Sequence, residues 1–158
     1  MSPLIAKQLL GAIDFVIPEE KRVRPDGSPR DKELFNYSAP FNGVDVLPAG
    51  QSVSVGITFD ADSDFVGLIL NIVATLVDDV TFIAQLPATI LLTTTGGGNR
   101  KFDQPIHVET LRGSGELPGV LQWPLWLPQA SQLNITLNNL DLVNAFNVWL
   151  TLGGVKIF

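Results

Sequence analysis

Cysteine is absent from this chain of 158 residues. Neither a disulfide nor a thiolate metal site can form, which fits a protein made in a reducing cytoplasm. Histidine is almost absent: His107 stands alone, and one imidazole with no cysteine beside it leads no common metal centre. Charge is scarce as well. Asp, Glu, Lys and Arg make up 16% of the residues and hydrophobic residues 46%, against a charged share of about 25% in ordinary soluble domains. So few charges cover a monomer poorly, and part of the surface is expected to be buried against other molecules. Long apolar runs are missing too. The longest, FVGLILNIVATLV, has 13 residues and contains Asn71 and Thr75, whereas a membrane-spanning helix needs about 20. The opening MSPLIAKQLLGAI has no basic region ahead of its apolar part, so a secretory signal is not expected.

What charge there is lies unevenly around a net −6. Between Glu19 and Glu33 fall five basic and five acidic residues; from Leu34 to Asn99 there is no Lys or Arg, while Asp45, Asp60, Asp62, Asp64, Asp78 and Asp79 lie there. Phosphate binding rests on clustered Lys and Arg. Such a body repels nucleic acid, and neither nucleic acid nor a membrane is expected as a partner.

Two regions follow from this. Residues 1–48 read as an N-terminal extended arm: a short apolar piece, then the charged strip, with Pro25, Gly27 and Pro29 marking an irregular path. Such an arm needs something to hold it, either its own domain or a neighbouring subunit. Its charged strip, Arg22, Arg24 and Arg30 included, is suited to cross-subunit ion pairs. Residues 49–158 read as an antiparallel β-sandwich. SVSVGITF alternates, with Val53, Val55, Ile57 and Phe59 on one side, the period of a half-buried strand. LNITLNN repeats this with Leu133, Ile135 and Leu137, and FNVWLTL with Phe146, Val148, Leu150 and Leu152. ATILLTTT, PIHVETL, VTFIAQ and VKIF add further strands. Phe65–Val77 fits a helical stripe, but its Val, Ile and Thr content favours a strand buried on both faces. About eight short strands separated by Gly, Pro, Asn or Asp suggest a sandwich of the jelly-roll kind.

Sites for chemistry are weak. DADSDFVGLILN begins like a calcium loop at Asp60, Asp62 and Asp64, but Phe65 stands where glycine is needed and Asn71 where glutamate is needed. TTTGGGNRK lacks the spacing of a phosphate loop and reads as a hairpin tip. RGSGE lacks the last glycine of a nucleophile elbow, so His107 has no hydrolase partner by motif. No catalytic residue, metal or cofactor is expected. The sequons at Asn36 and Asn134 matter only in a secreted protein. RGSGELPGVLQWPLWLPQAS is another matter: Trp123 and Trp126 flank Pro124 in a stretch that looks too proline-rich for regular structure. Together with Trp149, these residues are expected at a protein contact, where Trp is enriched. The alternative is an aromatic platform for sugar rings.

The C-terminal part of the chain, from Asn99 onward, resembles small jelly-roll proteins of tailed bacteriophages that decorate or cement the capsid. The residues that carry it are the Gly98–Lys101 hairpin leading to Phe102 and Pro105, and the corner at Gly113, Gly115, Glu116 and Pro118. Proline-bounded loops at Pro124 and Pro128 follow, then the strand Leu133–Asn139 and the closing Leu152–Ile157. Three glycines stand at 96–98 where that pattern has one. The resemblance implies a structural virion protein without an active site. It would sit on the capsid exterior, made in the host cytoplasm, with the major capsid protein and its own copies, as dimer or trimer, for partners. A carbohydrate-binding jelly-roll module of a receptor-binding structure is the alternative.

Overall fold

Alternation in the sequence becomes two layers of strand. The structure, a computed structural model, describes residues 17, 19–41, 46–79, 81–95, 104–111 and 119–158, with the backbone alone at Glu20, Gln122 and Trp123. In chain order the strands are β1 Lys32–Phe41, β2 Ser52–Thr58, β3 Asp64–Leu76 and β4 Ala88–Thr94. Then come β5 Ile106–His107, β6 Gly119–Leu127, β7 Gln132–Asn139 and β8 Phe146–Ile157. One sheet has the order β1-β8-β3-β6, the other β2-β7-β4-β5, and every pairing is antiparallel. The expected all-β antiparallel sandwich is what forms. Its pairings are nested: β1 lies on β8, β2 on β7, β3 on β6 and β4 on β5. The chain is thus a long double ribbon, rolled so that successive pairs fall in opposite sheets.

The inward faces make one core. Ile57, Phe59, Leu133, Ile135, Leu137, Phe146, Val148, Leu150 and Leu152 are all buried in it, as their alternation required. β3 is a strand, and its apolar run has a physical reason. Leu70, Ile72 and Ala74 face the core, while Val66 and Leu68 join Val155, Ile157 and Ile17 in a second buried cluster on the outer side. Over its first half β3 is covered on both faces, and such a strand loses its polar alternation. Where β3 meets β8 the backbones come close: a Cβ at Gly154 would run into Val66 O and lie 2.7 Å from Phe65 Cζ.

Other expectations are corrected. Lys32–Phe41, inside the stretch assigned to the arm, is β1 and pairs with β8 along its whole length; Phe35, Tyr37, Ala39 and Phe41 point to the core. The sandwich therefore begins before residue 49. The proline-rich stretch does join a regular element, because β6 is an edge strand and its register shifts: Gly67 faces Leu125, but Ile69 faces Val120. Pro124 sits in that irregularity, at an edge, where a missing N–H leaves no ladder bond unmade. VTFIAQ forms only an isolated bridge, Thr75 to Phe82. PIHVETL gives two strand residues and then a 3-10 turn over Val108–Thr110. VKIF is the continuation of β8, which runs unbroken through Gly153 and Gly154.

Candidate docking surface at one end of the sandwich

The rolled ribbon gathers the described cations at one end of the sandwich and several exposed apolar side chains at the other. The starts of β1 and β3 and the end of β8 meet at one end, and every described Lys and Arg lies there. Arg30 is the centre of this end. Its Nη1 donates to Asp64 Oδ2 at 2.8 Å, its Nη2 to Ile157 O at 2.9 Å and its Nε to Phe158 O at 3.0 Å. Asp64 is fully buried, and its other oxygen accepts from Gln129 N at 3.0 Å. A buried carboxylate needs such partners. Arg22 Nε donates to Ile17 O at 3.0 Å, and Arg24 pairs with Asp31. Of the proposed interface arginines, each is therefore bonded within its own chain. Through Arg30 the charged strip is held to the sandwich, at Asp64 and the β8 carbonyls.

A second cation is held close by. Lys156 lies 3.5 Å from the Phe35 ring centroid and pairs with Asp60, which also accepts from the Tyr37 hydroxyl at 3.1 Å. The hydrogen bond to Asp60 holds the Lys156 amine above its ordinary range. Those from Lys156 and then Tyr37 hold the Asp60 carboxyl below its own. Burial pushes the Tyr37 hydroxyl up. Cation, carboxylate and rings hold one another in place at this end.

The opposite end has no described Lys or Arg. There Trp149 of β8 stands opposite Val73 of β3, on the outer face. Phe82 is bridged to Thr75, and Ile83 N donates to Ala74 O at 2.8 Å. Val73, Val77, Asp79, Phe82, Asn147 and Trp149 line an open groove of about 500 Å³. Trp149 is 39% exposed and Phe82 73%. Asp79 accepts from Thr81 N at 3.0 Å and Thr81 Oγ1 at 2.8 Å, chiefly through that hydroxyl its carboxyl is held below the usual range.

Beside the groove, the β7–β8 loop displays Leu142 and Val143, 82% and 84% exposed. Its shape is fixed by Asp141, whose carboxylate accepts from Val143 N at 2.8 Å, Asn144 N at 3.0 Å and Asn144 Nδ2 at 2.8 Å. Buried Asn139 adds bonds to Pro48 O at 3.0 Å and Asn144 O at 2.8 Å. Val77 N donates to Ala145 O at 3.2 Å, tying loop to groove. Exposed apolar side chains also stand elsewhere, Leu34 at 74% among them, but here several are gathered at one end on backbone held by hydrogen bonds, which marks a candidate contact site.

The expected tryptophans do not gather. Trp126 packs on the second cluster, near Ile17 and Val66, whereas Trp149 lies in the groove at the other end. Pro124 is half-buried in β6, and the Trp123 side chain lies outside the described residues. So do Gly98–Lys101, Phe102 and the Gly113–Pro118 corner. Sequence reasoning missed Phe82, Leu142 and Val143. The signal for the latter two was apolar residues set between Asp141 and Asn144, a pairing that makes turns. Among the described residues, no group of three or more His, Asp or Glu could hold a metal ion, and no helix is long and apolar enough to cross a membrane.

Fold and surface define a class: an all-β sandwich domain with an apolar end that carries no Lys or Arg among the described residues. No protein-family model matches the chain, and no curated protein matches it. Among solved structures it is similar to the dimeric latent PorU of Porphyromonas gingivalis, at 13% identity and a TM-score of 0.36, covering 81% of this chain and 13% of that one. It is also similar to the infectious bursal disease virus VP2 subviral particle, at 11% identity and a TM-score of 0.33, covering 82% of this chain and 33% of that one.

Proposed function

We propose that the protein is a structural virion subunit, a jelly-roll decoration or cement protein bound to the outside of a tailed-bacteriophage head. Its partners are the major capsid protein and further copies of itself, as dimer or trimer, and it is made in the host cytoplasm. The observation that carries this reading is the apolar end, where Trp149, Phe82, Leu142 and Val143 are exposed and no Lys or Arg lies among the described residues. Nested strand pairing supports the jelly roll, and the resemblance of the C-terminal part supports the phage setting. No catalytic role is assigned. Particles lacking the protein should rupture at lower temperature or under milder osmotic shock than complete ones. Equal stability of the two would overturn the reading.

A second reading is a carbohydrate-binding module, favoured by Trp149 lying beside Asn147 and Asp79 in the groove. It predicts loss of glycan binding, with assembly unchanged, in Trp149→Ala.

A further inference from the structure

Resting on the virion reading, the groove also specifies what it takes. We propose that it docks a protein segment that inserts one apolar side chain between Trp149 and Phe82 and brings Lys or Arg to the carboxylates of Asp79 and Asp78.

Charge complementarity selects this occupant. Asp78, Asp79 and Asp141 are on this end, and no described Lys or Arg is. Asp79, like any exposed aspartate, is ionised at neutral pH, and the Thr81 hydrogen bonds hold its carboxyl below the usual range, so the rim is negative where a partner arrives. An anionic lipid surface or a nucleic acid is repelled. A glycan needs several free polar groups converging beside the ring. Here the walls are largely Val73, Val77 and Phe82, and Asp79 Oδ1 is already engaged by Thr81. A side chain from a protein fits better, because a concave aromatic site with a charged rim is how contact centres are built. The walls are also set in advance. Trp149 lies mid-strand in β8 and Phe82 is tied to β3, so little ordering is lost on docking.

Fluorescence polarisation with the full-length chain tests this. The probes are a labelled peptide with a Leu-Trp-Leu centre flanked by lysines, and its twin with glutamates in place of the lysines. Phosphatidylserine vesicles and a glycan array complete the set. The lysine peptide should bind, more weakly as salt rises, and the other three should not. Trp149→Ala should weaken it roughly thirtyfold. Phe82→Ser, at a side chain too exposed to matter for folding, should weaken it likewise with the melt unchanged. Asp78→Asn with Asp79→Asn, which leaves the Thr81 acceptor in place, should erase the preference for lysine over glutamate. The proposal is overturned if the lysine peptide does not bind, if Phe82→Ser binds as wild type, or if vesicles or glycans compete for the groove. The two readings separate on shells. Should the wild-type chain co-sediment with capsids and Phe82→Ser do so equally, docking lies elsewhere and only this inference falls. Should the peptide bind as expected while the chain joins no capsid, the virion reading falls and the groove's preference stands.

Discussion

Replacing Arg30 by methionine removes the cation from a carboxylate that water does not reach. Asp64 is 1% exposed at its side chain and Arg30 13%. With the guanidinium gone, Asp64 Oδ2 loses its charged donor, while Oδ1 keeps only the Gln129 N–H. The carbonyls of Ile157 and Phe158 lose donors as well. Breaking one side of a buried pair costs about 3–5 kcal/mol, which for a chain of this size lowers Tm by roughly 6–20 °C. The assay is a double-mutant cycle read by urea unfolding. Arg30→Met alone should be severely destabilised. Asp64→Asn added to it should recover much of the loss, because a neutral amide needs no cation and still accepts from Gln129. A loss below about 1 kcal/mol in the single variant, the scale of an exposed ion pair, would refute the argument. So would a cycle without coupling, since the strip would then not be held to its own sandwich by this bond.

Three further outcomes are expected. Trp126→Ala should cost about 2 kcal/mol of stability, from lost burial against Ile17 and Val66, with oligomeric state by light scattering unchanged; altered assembly with an unaltered melt would contradict this placement. Phe65→Ala should cost about 3–5 kcal/mol, because Phe65 is fully buried and its ring lies 5.0 Å from Tyr37 and 5.5 Å from Phe59; a thermal melt within a degree of wild type would be the contrary result. The Asp60–Lys156 pair should shape stability against pH. Asp60, held low, contributes above its unfolded pKa of about 3.9 and loses this as pH falls through its folded value. Lys156, held high, contributes below about 10.4 and loses this as pH rises through its folded value. Lys156→Met should flatten both limbs, and a profile parallel to wild type would count against the pair.

Strands with one wet face were plain in the sequence, and those with two dry faces were not. Ser52–Thr58, Gln132–Asn139 and Phe146–Leu152 alternate because one side meets the core and the other meets solvent. Phe65–Val77 is ambiguous for the opposite reason over its first half: Ile17, distant in sequence, clusters with Val66 and Leu68 on the outer face. β1 carried a readable signal, Phe35, Tyr37, Ala39 and Phe41, but its charged start and Pro40 placed it with the arm. β6 could be recognised only by knowing that it lies at an edge, where Pro124 does no harm. The site divided in the same way. Trp149 was legible as outward-facing from its neighbours Val148 and Leu150. Arg22 and Arg30 were not legible, since their partners are carbonyls and a buried Asp64 set by tertiary folding, while Arg24 pairs locally with Asp31. Phe82 was missed because it sits in a segment that looked like a strand and is a bridge.

Quantitative mass spectrometry of particles purified from the lysate in which the chain is made tests the central claim most directly. A structural virion subunit should co-sediment with the major capsid protein at high, fixed copy number, and Phe82→Ser should be lost from the particles without altering the chain's own melt. A chain found only in the soluble fraction, or in traces that wash away, would contradict the account.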